Sequence, residues 1–107
     1  MAEHASSGQI GWIDMTSDPL TPSVIELIGD LDLTNADALR VSVDTALSSS
    51  TRLVFDMTQL TFMDSSGLAV LIDAALRAES VSLRSVPSLV SRVIELSGVG
   101  GVFRIEP

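Results

Sequence analysis

Residues 53–76 read LVFDMTQLTFMDSSGLAVLIDAAL, and the fold depends on how this stretch divides. Leu53 to Met57 is short, apolar and carries Val and Phe, the make-up of a buried strand. Thr58-Gln59 reads as a turn, after which Leu60 to Met63 continues apolar. Asp64-Ser65-Ser66-Gly67 interrupts the run. Beyond it Leu68, Leu71, Ile72, Ala75 and Leu76 recur at helical spacing. Asp or Ser suits a helix N-cap, and Gly67 permits a sharp turn or a close backbone approach. The stretch is therefore strand, polar junction, helix.

The same alternation extends in both directions. Upstream, Ile10 to Met15 has β character around Trp12, and Ser17-Asp18-Pro19 and Thr21-Pro22 are turn chemistry. Val24 to Ile28 reads as a strand ended by Gly29, so the two segments predict an antiparallel hairpin. Thr34 opens a helix, with Asp37 in the place a capping box gives to Glu. Ala36, Leu39, Val43, Ala46 and Leu47 lie on one face of that helix, and Ser48 to Thr51 breaks it. Downstream, Val81 to Val86 reads as a strand. Pro87-Ser88 starts a third helix with Leu89, Val93 and Leu96 on one face, and Gly98 suits its left-handed C-terminal cap. Val102 to Ile105 is a last short strand. The order β-β-α-β-α-β-α-β predicts an α/β single domain whose mixed β-sheet has an N-terminal antiparallel hairpin followed by β-α alternation. Residues 1–8 are polar and small and read as a flexible N-terminal tail, leaving 9–107 as the domain.

At 107 residues the chain can bury one core. Fourteen acids against six bases give a net charge of -8. That sign opposes binding to nucleic acid or to an anionic membrane surface. Without Cys there are no disulfides, thiolate chemistry or zinc clusters. Without Lys there is no P-loop lysine or Schiff base, and the one His, His4, stands in the polar start, so neither a Ser-His-Asp triad nor a metal site is expected. The longest apolar run, Leu68 to Ile72, is far too short to cross a bilayer, and no secretory signal pattern opens the chain. These features lead to the expectation of a soluble, cytoplasmic protein with no metal.

Three constellations carry chemistry. Gly29-Asp30-Leu31-Asp32-Leu33-Thr34 follows a strand and resembles the D-x-D-x-T nucleophile motif of haloacid-dehalogenase-type phosphatases, in which Asp30 would attack phosphorus and Asp32 would be acid/base beside magnesium. That family's balancing lysine is absent, and the plainer reading puts the acids near the positive N-terminus of a helix. Asp56 at a strand end is similar to a receiver-domain phosphoacceptor, whose lysine is again missing. Asp64-Ser65-Ser66-Gly67 is the third. Two adjacent serines exceed what one cap needs, and a hydroxyl at a helix N-terminus is a good place for a phosphate. With no base nearby in sequence, modification of Ser65 by a partner fits better than catalysis by it.

Phe62-Met63-Asp64-Ser65-Ser66-Gly67-Leu68 resembles the phosphorylation signature of anti-sigma-factor antagonists of the STAS domain family. Ile28-Gly29-Asp30-Leu31-Asp32 is similar to the family's G-E-L-D segment, Leu53 to Met57 to the strand before the signature, and Val86 to Gly98 to its last helix. The resemblance covers about Ile10 to Ile105. It implies a STAS-like single domain with helices packed mainly on one face of the sheet. It implies a non-enzymatic antagonist that, dephosphorylated, binds an anti-sigma factor with serine kinase activity and so frees a sigma factor. Ser65 would be the phosphoacceptor, with Asp32, Asp64, Ser66 and Gly67 supporting it. Asp30, Leu33, Met63 and Leu68 would meet the partner. The kinase would supply ATP, so no cofactor is expected, and a phosphoserine phosphatase would reset the switch. The alternatives are a STAS scaffold subunit of a stress-signalling complex and the small phosphatase using Asp30 and Asp32.

Overall fold

The computed structural model of the chain describes residues 9–10 and 21–106. The expected tail, the span from Gly11 to Met15 and the turn at Ser17-Asp18-Pro19 lie outside them. The strands are β1 (Gln9–Ile10), β2 (Ser23–Leu31), β3 (Arg52–Met63), β4 (Ser80–Arg84) and β5 (Arg104–Glu106). The helices are α1 (Ala36–Leu47), α2 (Ser65–Arg77) and α3 (Ser88–Ser97), with a 3₁₀ turn at Gly100–Val102.

The sheet order is β1-β2-β3-β4-β5. β2 to β5 are all parallel, because each strand is joined to the next through a helical crossover. This corrects the expected weight of an N-terminal hairpin: the four-stranded body β2 to β5 is wholly parallel, and antiparallel pairing is confined to the β1 edge. Among the described residues the antiparallel pairing of β1 with β2 consists of Gln9 opposite Ile28 and Ile10 opposite Leu27.

Register places Ile25, Phe55 and Leu83 side by side, and all three are buried. They share one core with Leu39 and Val43 of α1, Leu71 and Ala74 of α2, and Val90 and Ile94 of α3. The opposite face carries a charged row, Glu26, Asp56, Arg84 and Glu106, in which Arg84 Nε meets Glu106 Oε1 at 3.1 Å.

β3 is one twelve-residue strand, so the turn expected at Thr58-Gln59 is not a turn. It is a β-bulge. Glu26 pairs with Asp56 but Ile28 with Gln59, and Gly29 pairs with Leu60 but Asp30 with Phe62, so β3 holds two extra residues. Each resets the alternation. Met57, Leu60 and Met63 are buried at intervals of three, facing a β2 strand whose own buried positions Leu27 and Leu31 keep an even spacing. Gly29 does not end β2. It adopts φ 78° within the strand beside the second bulge, a conformation that favours glycine.

The first bulge is held by Asp56, whose Oδ1 accepts the Thr58 N–H at 3.0 Å and its hydroxyl at 2.7 Å. The Thr58 hydroxyl, then its backbone N–H, and more weakly Arg84, hold the Asp56 pKa below its ordinary value. A lowered folded-state pKa makes the ionised form stabilising above the ordinary carboxylate range, and this contribution disappears as pH falls through the lowered value. Asp56→Asn keeps an acceptor for Thr58 and removes the titration. Its melting temperature should therefore fall less steeply than that of wild type between about pH 5 and pH 2, as measured by circular dichroism.

Candidate functional site

At the end of the sheet the chain leaves β2 at Leu31 and β3 at Met63, which are register partners. The Asp64 N–H continues the pairing by donating to the Leu31 carbonyl at 3.0 Å. The loop after β2 and the start of α2 are therefore neighbours by backbone hydrogen bonding.

Asp64 is the N-cap of α2. Its Oδ1 accepts the N–H groups of Ser66 at 2.8 Å and Gly67 at 3.3 Å, which satisfies two of the free donors of the first turn. Ser65 is consequently the first helical residue. Its side chain is exposed and its hydroxyl makes no hydrogen bond to the described residues. Ser66 is half-buried, and Gly67 is buried because there is no room for more. A Cβ there would lie 2.7 Å from Leu31 Cγ, 2.9 Å from Leu31 Cδ2 and 3.0 Å from Met63 Cγ.

On the β2 side, Asp32 Oδ1 accepts the Thr34 N–H at 2.9 Å and the Thr34 hydroxyl. Thr34 is thus not the cap of α1. That place belongs to Asn35, whose side chain makes no capping bond and turns its amide back toward β2. Asn35 Nδ2 donates to the Asp30 carbonyl at 2.8 Å, and its Oδ1 accepts the Asp32 N–H at 3.0 Å. Asp30 Oδ1 accepts the Thr61 hydroxyl at 2.7 Å across the second bulge. The phosphatase alternative requires Asp30 and Asp32 to act together on one magnesium ion. Instead each carboxylate is tied to a different threonine, and among the described residues no three acidic or histidine side chains converge on a point.

The expected partner residues divide. Leu33 stands 77% exposed. Met63 and Leu68 are corrections: they are 0% and 6% exposed, because the second bulge turns Met63 into the core and the first turn of α2 carries Leu68 inward. Neither can meet a partner without unfolding its surroundings. Phe62, which sequence reasoning did not single out for contact, takes the outward place at 40% exposure. A fixed strand alternation gives no sign of this, since the bulge decides it.

Among the described residues the acids at this end have no ion-pair partner. The described ion pairs are Arg40–Asp37, Arg52–Glu79, Arg77 with Asp44 and Asp73, and Arg84–Glu106. None involves Asp30, Asp32 or Asp64.

The family model described as "Mlab, STAS domain" matches residues 15–105, and the chain belongs to the STAS domain family. Among solved structures it is similar to the anti-sigma factor antagonist SpoIIAA in its unphosphorylated form, at 25% identity and a TM-score of 0.73, over 92% of this chain and 87% of that one. The Bacillus cell fate determinant SpoIIAA in the phosphorylated form matches at 24% identity and a TM-score of 0.66, over 92% and 90%. An anti-sigma factor antagonist from Mycobacterium paratuberculosis shares the fold at 21% identity and a TM-score of 0.81, over 99% and 91%. Among the described residues no helix is long and apolar enough to cross a membrane.

Two substitutions test this geometry by thermal or urea unfolding. Gly67→Ala, which in an ordinary helix gains up to about 1 kcal/mol, should here lose about 1–3 kcal/mol to overpacking. Asp64→Ala should lose about 0.5–2 kcal/mol with its cap.

Proposed function

We propose that the protein is a phosphorylation-controlled antagonist of an anti-sigma factor. With Ser65 unmodified it binds an anti-sigma factor that is also a serine kinase, and a sigma factor is released. The kinase, using its own ATP, then phosphorylates Ser65 and ends the binding. A phosphoserine phosphatase restores the first state. The protein itself is a binding module rather than an enzyme and needs no cofactor.

The observation that carries this reading is the exposed Ser65 hydroxyl at the first position of α2, engaged with none of the described residues. The described residues hold no His or Lys to activate it. SpoIIAA, with the same fold, is known in both an unphosphorylated and a phosphorylated form, which supports a switch of this kind.

The physical logic follows from position. A phosphate adds about -1.5 to -2 charge. The N-terminus of a thirteen-residue helix accommodates an anion, so the fold survives the modification. A packed interface does not, because the group must be desolvated next to Asp64 and close to acids that no arginine neutralises. A loss of about 3–4 kcal/mol there weakens binding several-hundredfold. Leu33 and Phe62 form the apolar centre of that interface, Asp30, Asp32 and Asp64 its acidic rim, and the partner presents a basic surface.

Incubation with ATP and lysate of the native cell should place phosphate on Ser65, read by mass spectrometry, while ATP alone leaves the protein unmodified. Phosphate confined to Ser66 overturns the assignment. In pull-downs from the same lysate, Ser65→Ala should retain the partner whether or not ATP is added, and Ser65→Asp should retain less. Leu33→Glu and Phe62→Glu should each weaken capture about tenfold or more with the circular dichroism spectrum unchanged.

A further inference from the structure

We propose that Asn35 is a positioning residue for recognition at Ser65: it anchors the Asp32–Asn35 turn to the end of β2 and thereby holds Leu33 out toward the partner. The inference rests on the reading of Ser65 as the switched residue and names what presents the surface beside it.

The turn has two sets of bonds. Some are internal. The Asn35 N–H donates to the Asp32 carbonyl at 3.2 Å, closing a four-residue turn with Leu33 and Thr34 at its corners, and Asp32 Oδ1 takes the Thr34 N–H. These shape the turn but do not attach it. Attachment comes from the Asn35 amide: its Nδ2 donates to the Asp30 carbonyl in β2, outside the turn, while its Oδ1 takes the Asp32 N–H inside it and the Asn35 carbonyl accepts the Leu39 N–H and starts α1. Asn35 is one of few buried polar side chains in the described structure, at 9% exposure.

Apolar burial cannot do this work, since Leu33 and Thr34 both face solvent. An exposed turn that is not anchored must be ordered when a partner binds, and that ordering weakens binding. Asn35 has already ordered it. The turn is also in the right place, because the residue before it, Leu31, receives the Asp64 N–H that leads into Ser65. Asn35 touches neither the hydroxyl nor the partner; it acts through Leu33 and Asp32.

The test uses full-length protein, ATP and native-cell lysate as the source of kinase, with Asn35→Ala compared against Val43→Ala. Val43 is a buried α1 residue that packs in the core away from the turn, so its truncation lowers the melting temperature without touching the anchor. In Asn35→Ala, amide hydrogen exchange at Asp32 and Thr34 should accelerate, and the protein concentration giving half-maximal Ser65 phosphorylation should rise about threefold to tenfold, with the maximal rate changed less than about twofold. Val43→Ala should leave both readouts as in wild type. Unchanged exchange at Asp32 and Thr34, an unchanged half-saturating concentration, or an equal shift in Val43→Ala each overturns the role of Asn35 alone. Absence of phosphate on wild-type Ser65 overturns the reading of Ser65 and this inference with it.

Discussion

The first turn of α2 lies closer to the end of β2 than any side chain at position 67 would allow. A Cβ on Gly67 would meet Leu31 and Met63 at 3.0 Å or less, and those two residues are register partners in the core. Much else at this end depends on that approach. It brings the helix start down onto the sheet, where the Asp64 N–H can extend the pairing and its carboxylate can cap the helix. It leaves Ser65, one residue along, with nowhere to point but solvent. Packing that is as tight as possible on one side of the turn and absent on the other makes a rigid platform for an accessible hydroxyl.

The two bulges of β3 prepare this arrangement earlier in the chain. Without a bulge between them Leu60 and Met63, an odd number of residues apart, could not both face the core. Each inserted residue is secured by a carboxylate–threonine bond, Asp56 to Thr58 and Asp30 to Thr61. The acid that resembled a receiver phosphoacceptor and the one that resembled a phosphatase nucleophile both serve the backbone.

Much of this was legible in the residues. The helix over Ala36–Leu47 buries four of the five positions that its periodicity selected, Gly98 is left-handed at the end of α3, and DSSG falls at a strand-to-helix junction. What escaped were features set by phase and by single hydrogen bonds. Thr58-Gln59 has the composition of a turn, yet its backbone stays in the ladder because an extra residue can be absorbed there. Of the expected face Leu89, Val93 and Leu96, Val93 packs partly against the core, but Leu89 and Leu96 point outward, and Val90 and Ile94 are buried instead. Periodicity gives a face and not its direction when both faces carry apolar residues. Thr34 and Asn35 are both accepted as caps by type, and residue type does not reveal that the Asn35 amide reaches back to Asp30. Met63 and Leu68 stand at element ends in the sequence, where exposure is the usual expectation, but the second bulge and the first turn of α2 carry them inward.

The strands lie across the sheet in the order in which they occur along the chain. That order has a bearing on synthesis. As the chain emerges, β2, α1, β3 and α2 can associate before β4, α3 and β5 have been made, because the hydrogen bonds described for the Asp32 turn and the Ser65 helix start come from residues already present. The surface that a partner would read is thus assembled from the first part of the domain, and the last strand-helix-strand segment is added at the far edge. It can close the core without reopening the end of the sheet where Ser65 stands.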